Sequence, residues 1–300
     1  MTVNPSENRK ISSPGRFPEW LKRPLAFSGK QKTVEKHVHC EGLHTVCVEA
    51  KCPNRSECYS NGTATFLIMG NTCSRSCRFC SVNHGIPAKL DLEEPARISS
   101  AVKNLGIKHI VITSVTRDDL EDGGAAFFAD TIKIIREDNP GTKIEVLVPD
   151  FQGSTEAIRK VISAAPDIFN HNIETVPGLY DKIRPQAVYN RSLAVLAQAA
   201  RSGIVTKSGI MVGLGEDESE ILAVMKDIYL TGCSILTIGQ YLRPSKEQVE
   251  VKSFVSPEQF DYYRREGEKI GFAYVFAGPF VRSSYRAGEV TFKAAGKCSQ

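Results

Sequence analysis

Three hundred residues, 41% of them hydrophobic, are enough to bury a large core in a single α/β domain. A formal charge of +4, left by 38 basic against 34 acidic side chains, is too even for a dedicated nucleic-acid binder but compatible with an acidic protein partner. Of nine cysteines, seven lie between positions 40 and 80, which argues against the distributed disulfides of a secreted fold and for metal in a reducing compartment.

The chain opens with "MTVNPSENRKISSPGRFPEW", which lacks the apolar run of a secretory signal, and no later stretch approaches the length of a membrane span. A cytoplasmic protein without a membrane anchor is the expectation. Ser and Arg in this stretch would suit a transit peptide, but Glu7 and Glu19 argue against one. Roughly the first sixty residues show no clear period and are expected to be irregular. Lys22, Arg23, Lys30, Lys32 and Lys36 form either a solvated basic run or a surface that steers an acidic partner. His37, His39 and His44 read as surface or linker residues.

"CVEAKCPNRSEC" follows, with Cys47, Cys52 and Cys58 in the spacing C-x4-C-x5-C. Zinc ribbons pair short C-x2-C knuckles, so this spacing suits a cubane iron-sulfur cluster better than zinc. Cys40, seven residues upstream, is a doubtful fourth ligand.

From residue 63 onward, apolar runs alternate with helical patterns. "TATFLIMG", "HIVITSV", "KIEVLVPD", "IFNHNIETV", "VTKSGIMVGLG" and "ILTIGQYL" are strands, most too apolar throughout to keep one face wet, as in a parallel sheet covered on both sides. Helical spacing marks the segments between them, and a last helix, "SPEQFDYYRREGEKIG", follows the sixth strand. Ser154 as an N-cap, Pro95 and Pro257 in first turns, and Gly106, Gly203, Gly232 and Gly271 after helices set the boundaries. Six strand-helix units give either an incomplete parallel barrel or an open doubly wound sheet. The expected organisation is an N-terminal extension over 1–60, the barrel over 61–272 and a C-terminal extension over 273–300. Cys233 reads as a small core residue and Cys298 as a tail thiol.

On the loop leaving the first strand stands "CSRSCRFC", with Cys73, Cys77 and Cys80. Parallel barrels carry their chemistry on this face. Three thiolates can hold three irons of a cubane and leave the fourth open to a small molecule. A structural zinc loop is the plain alternative.

The pattern C-x3-C-x2-C, with Phe79 before the last cysteine, resembles the signature of the radical S-adenosylmethionine (radical SAM) superfamily. That resemblance implies an incomplete (β/α)6 barrel, a 4Fe–4S cluster on Cys73, Cys77 and Cys80, and SAM bound to its open iron. It also implies SAM contacts from Asp122 and Gly123 in "EDGGAA", from Asn172 and Glu174 in "NHNIETV", and from Glu216 in "GIMVGLGE". Read without it, a glycine-rich strand end is a tight turn and Asn172 a satisfied core amide.

The second cysteine set, together with "HIVITSVTRDDLEDGGA", "LYDKIRPQ", "LTIGQYLRPS" and "GPFVRSSYRAGE", resembles the lipoyl synthase family over nearly the whole chain beyond about residue forty. The resemblance implies an auxiliary 4Fe–4S cluster on Cys47, Cys52 and Cys58, with Ser284 of "RSSY" as fourth ligand and Ser283 the runner-up. It further implies radical insertion of two sulfur atoms, at C6 and C8 of an octanoyl-lysine, with the auxiliary cluster as sulfur source. The implied partners are octanoylated lipoyl-carrier domains (2-oxoacid dehydrogenase E2 subunits and the glycine cleavage H protein) and an iron-sulfur cluster donor. The rival readings are another radical SAM sulfur-inserting enzyme, such as one resembling biotin synthase, and a zinc-stapled, non-enzymatic binding protein.

Overall fold

A computed structural model of the chain describes residues 17–22, 29–61, 63–284 and 287. Arg23, Tyr285 and Cys298, each given a place by the sequence, lie outside these residues.

The N-terminal stretch is more regular than its sequence suggests. Helix α1 (Gly29–Cys40) leads to a short strand β1 (His44–Thr45) and to helices α2 (Val46–Glu49) and α3 (Arg55–Ser60). On α1 the only hydrophobic residues are Val34, Val38 and the terminal Cys40, and α2 and α3 are too short to show a period, so pattern alone does not reveal them. Tyr59 anchors α3: its ring is fully buried, and its hydroxyl lies 2.7 Å from Thr45 Oγ1.

Strand β2 (Thr65–Ile68) starts the barrel and is followed by a loop holding the short parallel strands β3 (Thr72–Cys73) and β4 (Asn83–His84). Then come α4 (Glu94–Leu105), β5 (His109–Ser114), α5 (Ala125–Asp138), β6 (Lys143–Leu147), α6 (Thr155–Ser163) and β7 (Ile168–Asn170). The second half contains α7 (Tyr180–Ile183), α8 (Tyr189–Arg201), β8 (Val205–Val212), α9 (Glu218–Leu230), β9 (Ile235–Gln240), α10 (Pro257–Ile270) and β10 (Tyr274–Gly278). The expected boundary chemistry is present. Ser154 Oγ accepts from the Ala157 N–H at 3.2 Å, and Gly271 ends α10 at φ 117°, where a Cβ would collide with the Tyr229 ring.

The sheet runs β1-β2-β5-β6-β7-β8-β9-β10, parallel throughout except for β1 against β2. Six of these strands are the expected ones. The seventh parallel strand, β10, lies in the segment read from sequence as an irregular C-terminal extension; at five residues and half-buried, it carries little pattern. Because β1 and β10 sit at opposite edges, the barrel does not close, and the incomplete parallel barrel holds.

Strands β2 and β9 bury every residue, as strands covered on both faces must. Burying a side chain such as Phe128 of α5 contributes roughly 2–3 kcal/mol. A buried charge cluster lies among β6, β7 and β8. Lys207 Nζ lies 2.9 Å from Glu145 Oε1, and Asn170 Nδ2 donates to the same oxygen at 3.3 Å.

Candidate active site

The loop carrying Cys73, Cys77 and Cys80 is fastened to the barrel by its own intervening residues. Arg75 is buried, and its guanidinium takes Asp118 through Nε at 2.6 Å and Nη2 at 2.9 Å, and Asp150 through Nη2 at 2.6 Å. It thereby ties the loop to the segments leaving β5 and β6. Ser74 Oγ donates to the Thr116 carbonyl at 2.9 Å and accepts from the Asp118 N–H at 3.0 Å. On the other side the Arg78 N–H donates to Ile183 O at 2.8 Å, and the Val249 N–H to Arg78 O at 3.0 Å. Two backbone N–H groups, of Thr116 at 3.2 Å and Arg75 at 3.4 Å, point at Cys73 Sγ. Such donors to ligand sulfur tune iron-sulfur clusters.

A cavity of ≈ 340 Å³ opens beside this loop, lined by residues of β2, β5, β6, β8 and β9 and of the segment that follows β7, so the sheet curls around it. Cys73, Cys77, Phe79 and Cys80 line it, as do Asn172 and Glu174. Glu174 has a left-handed backbone at φ 70°, a conformation uncommon for a residue other than glycine. There β7 has already stopped at Asn170, short of the expected run to residue 176, and Glu174 rejoins the sheet only by a bridge to Ile210.

Three expected residues are not among those lining this cavity. Asp122 and Gly123 do not line the cavity; the Asp122 carboxylate accepts from the N–H groups of Gly124 at 2.9 Å and Ala126 at 2.8 Å, and so secures the start of α5. Burial would raise its pKa, but these N–H groups and Lys160 outweigh that and hold it below the usual carboxylate value. Gly123 packs against Phe151, which a Cβ there would approach to 3.1 Å at φ 61°. Glu216 is likewise outside the lining, and its carboxylate receives the N–H groups of Gly213 and Leu214, bracing the turn after β8. From that motif it is Gly209, Ile210 and Met211 that reach the cavity.

The sequence reading missed His171 and Arg184. Burial and the nearby Arg184 push the His171 pKa down to about 4, so the ring is neutral. Its Nδ1 lies 2.8 Å from the Val148 carbonyl and must carry the proton, which leaves Nε2 as an acceptor. Arg184 Nη1 donates to the carbonyls of Asn172 at 3.2 Å and Ile173 at 3.1 Å. Four buried polar atoms of cavity-lining residues have no hydrogen-bond partner among the described residues: Ser114 Oγ, His171 Nε2, Asn172 Oδ1 and Arg184 Nε. Buried polar atoms are ordinarily satisfied, so this set fits a small polar ligand.

The other three thiols stand just outside. Cys47 on α2, Cys52 in the following turn and Cys58 on α3 line a second cavity of ≈ 540 Å³, and Ser284 lines it with them. Cys47 and Cys52 also line the first cavity, so the two meet at these residues and at Ser284. Cys40, exposed at the end of α1, lines neither. Cys233 is buried, as its core reading required. Burial, with Cys52 adding to it, pushes the Cys47 thiol up to about 12, and burial does the same to Cys80. Such thiols stay protonated until a cation takes the place of the protons. Three thiols beside a hydroxyl, and three thiols with backbone N–H groups on sulfur, are donor sets that fit iron-sulfur clusters. Among the described residues no group of His, Cys, Asp or Glu converges as ligands of a single ion do; thiolates of a cubane each take a different iron and stand wider.

The sequence profile described as "Radical SAM superfamily" matches residues 67–228. The chain is 52% identical to the lipoyl synthase of Rubrobacter xylanophilus over 91% of this chain and 86% of that protein. It is 53% identical to the lipoyl synthase of Caldanaerobacter subterraneus over 91% and 96%. With the lipoyl synthase of Symbiobacterium thermophilum it shares 47% over 99% and 93%. Among solved structures, methylornithine synthase (PylB) superposes with a TM-score of 0.53 at 16% identity, covering 81% of this chain and 71% of that one. HydG, a maturase of the [FeFe]-hydrogenase, gives 0.54 at 16%, covering 90% and 81%. At such identities these two speak for the fold alone.

Proposed function

The chain belongs to the lipoyl synthase family of the radical SAM superfamily, and from that premise we propose that it inserts two sulfur atoms, at C6 and C8, into an octanoyl chain on a carrier-protein lysine, taking both from an auxiliary 4Fe–4S cluster. Cys73, Cys77 and Cys80 would hold the catalytic cluster, and Phe79 lines the same cavity. That cluster with SAM supplies, when bound, the electron and the 5′-deoxyadenosyl radical that take hydrogen from an unactivated carbon. No acid-base constellation is needed, because an alkyl C–H has no acidic proton to remove; the protein's task is to hold distances.

The observation that carries this reading is the meeting of the two cavities. Cys73, Cys77 and Cys80 line one side of a space that Cys47, Cys52 and Ser284 share with the second cavity. An alkyl chain lying there would have the thiols that would hold the catalytic cluster on one flank and those that would hold the sulfur source on the other. Asn172 and Glu174 hold polar parts of SAM, and the unpartnered atoms of Ser114, His171 and Arg184 supplement them. The auxiliary cluster is a substrate: each insertion replaces C–H by C–S, so the cluster is consumed and must be restored by a donor protein. Ser284, an oxygen ligand harder and more replaceable than thiolate, is suited to an iron that must leave. The carrier domains are octanoylated E2 subunits and H protein. Among the described residues no helix is long and apolar enough to cross a membrane, and we place the reaction in the cytoplasm.

The test is mass spectrometry of an octanoylated carrier peptide incubated anaerobically with the cluster-loaded protein, SAM and a reductant. The expected product gains two sulfur atoms while two SAM molecules yield methionine and 5′-deoxyadenosine. SAM cleavage with sulfur in neither position would overturn the assignment.

A further inference from the structure

Ser283 and Ser284 are neighbours with different surroundings. Ser284 lines the cavity of Cys47, Cys52 and Cys58, whereas Ser283 lines only the barrel cavity. The Ser283 hydroxyl accepts a hydrogen bond from Asn172 Nδ2 at 2.6 Å, and the same amide nitrogen donates to Glu174 Oε1 at 3.0 Å. An amide nitrogen carries two hydrogens, so both bonds stand together.

The segment around these serines is held at three points. Asn54, between Cys52 and Cys58 in the chain, donates through Nδ2 to the Phe280 carbonyl at 2.7 Å. Gly239 on β9 lets the chain cross at Val281, because a Cβ there would strike the Val281 carbonyl oxygen. Gly209 on β8 leaves room for the third point: its Cβ would stand 2.8 Å from Asn172 Oδ1 and 3.2 Å from Ser283 Oγ. The arm thus spans from the auxiliary loop, over β9, to the end of β7.

We propose that Ser283 is a positioning residue and not an iron ligand: through Asn172 it pegs the arm that presents Ser284 to the auxiliary cluster, and so ties that site to the wall of the SAM cavity. The proposal rests on the reading of Ser284 as a cluster ligand given above. A hydroxyl is a weak ligand whose hold depends on being kept close, and a loop residue keeps its place only through supporting contacts. The peg supplies one at the residue next to the ligand. Its partner Asn172 borders SAM in the same reading, so one side chain touches the surroundings of both cofactors.

The test uses the full chain loaded anaerobically with 57Fe, as wild type, Ser283→Ala, Ser283→Thr and Ser284→Ala, and reads the Mössbauer spectrum, where an oxygen-ligated iron separates from thiolate-ligated ones. Ser284→Ala should lose the oxygen-ligated signal. Ser283→Ala should lower the ratio of oxygen-ligated to unligated iron by about two- to tenfold, the equivalent of one net hydrogen bond. Ser283→Thr, which keeps the hydroxyl, should restore it. An unchanged spectrum in Ser284→Ala would overturn the Ser284 reading itself. With Ser284→Ala altered as expected, a wild-type spectrum in Ser283→Ala, or a Ser283→Thr no better than Ala, would overturn the peg. Loss of the signal in Ser283→Ala with its retention in Ser284→Ala would make Ser283 the ligand and overturn it equally.

Discussion

Both cysteine sets offer three thiols and no fourth, yet the fold supports them in opposite ways. Residues 73–80 sit on a loop stapled from both sides to the barrel, by Arg75 to Asp118 and Asp150 and by Arg78 to Ile183 and Val249. Residues 47–58 ride on helices of four and six residues, and the group that completes their cavity arrives from the far end of the chain. Charged, buried anchors suit a cofactor that stays. Short helices closed by a hydrogen-bonded arm would suit the sacrificial cluster of the proposed function. The two loops thus differ in what holds them, although each offers three thiols.

The sharpest break between the regions is chemical. Replacing Cys73, Cys77 or Cys80 with Ala should abolish SAM cleavage altogether, measured as 5′-deoxyadenosine. Replacing Cys47, Cys52 or Cys58 should leave cleavage in place while sulfur insertion into the peptide disappears. If both sets behave alike, the division of labour between the two loops is wrong.

Next in size is the anchor itself. Arg75→Met leaves the buried Asp150 and the mostly buried Asp118 without their shared cation, and losing one partner of a buried pair costs about 3–5 kcal/mol. Arg191, 3.3 Å from Asp150, offsets part of this. Denaturant unfolding reads the loss, and SAM binding should fall with it because the cysteine loop is no longer fixed. A variant with wild-type stability would show that the loop is held by its backbone bonds alone.

A smaller effect separates Glu174, which lines the cavity, from Asp122, which does not. Asp122→Ala should cost about 1 kcal/mol, as lost helix N-terminal bonds do, and leave SAM affinity untouched. Glu174→Ala should instead weaken SAM binding by about tenfold, the scale of one hydrogen bond to a charged group. Calorimetric titration of SAM into both variants gives the order, and a reversed order would return Asp122 to the SAM site.

This contrast also shows what sequence could reveal. Thiol spacing is local, so both cysteine sets were legible, as were the six strands whose apolar runs need no partner to be recognised. Acid-glycine strings such as "EDGGAA" and the stretch ending at Glu216 serve helix starts and strand-end turns as well as ligand contacts, so sequence leaves their role open, and the packing of Gly123 on Phe151 supports the helix start. His171 and Arg184 gave no period or spacing to notice; their meaning comes from burial beside a cavity. The approach of Ser284 to Cys47 bridges most of the chain length, and resemblance to a family, not spacing, pointed to it.

The last and smallest effect is pH dependence, which should divide the two regions by their anchors. Burial would raise the Asp150 pKa, but the hydrogen bonds and charge of Arg75 more than reverse this and hold it below its ordinary value. A carboxylate depressed in the folded state contributes stability that is complete above its unfolded pKa and is lost as pH falls through the folded one. Glu145 in the buried charge cluster behaves alike: burial opposes its charge, and Lys207 and His109 overcome that. The arm over the auxiliary site is fastened by Asn54 to Phe280 and by Asn172 to Ser283, bonds between groups that do not titrate in this range. Lowering the pH from about 6 to about 3 should therefore lower the urea midpoint of the metal-free chain, and Arg75→Met should flatten that dependence, since without Arg75 the Asp150 pKa is no longer drawn down. Proteolysis at matched pH localises the effect, with cleavage near residues 73–80 rising before cleavage near residues 47–58. Equal rises in both would mean that the two loops share one anchor and open together.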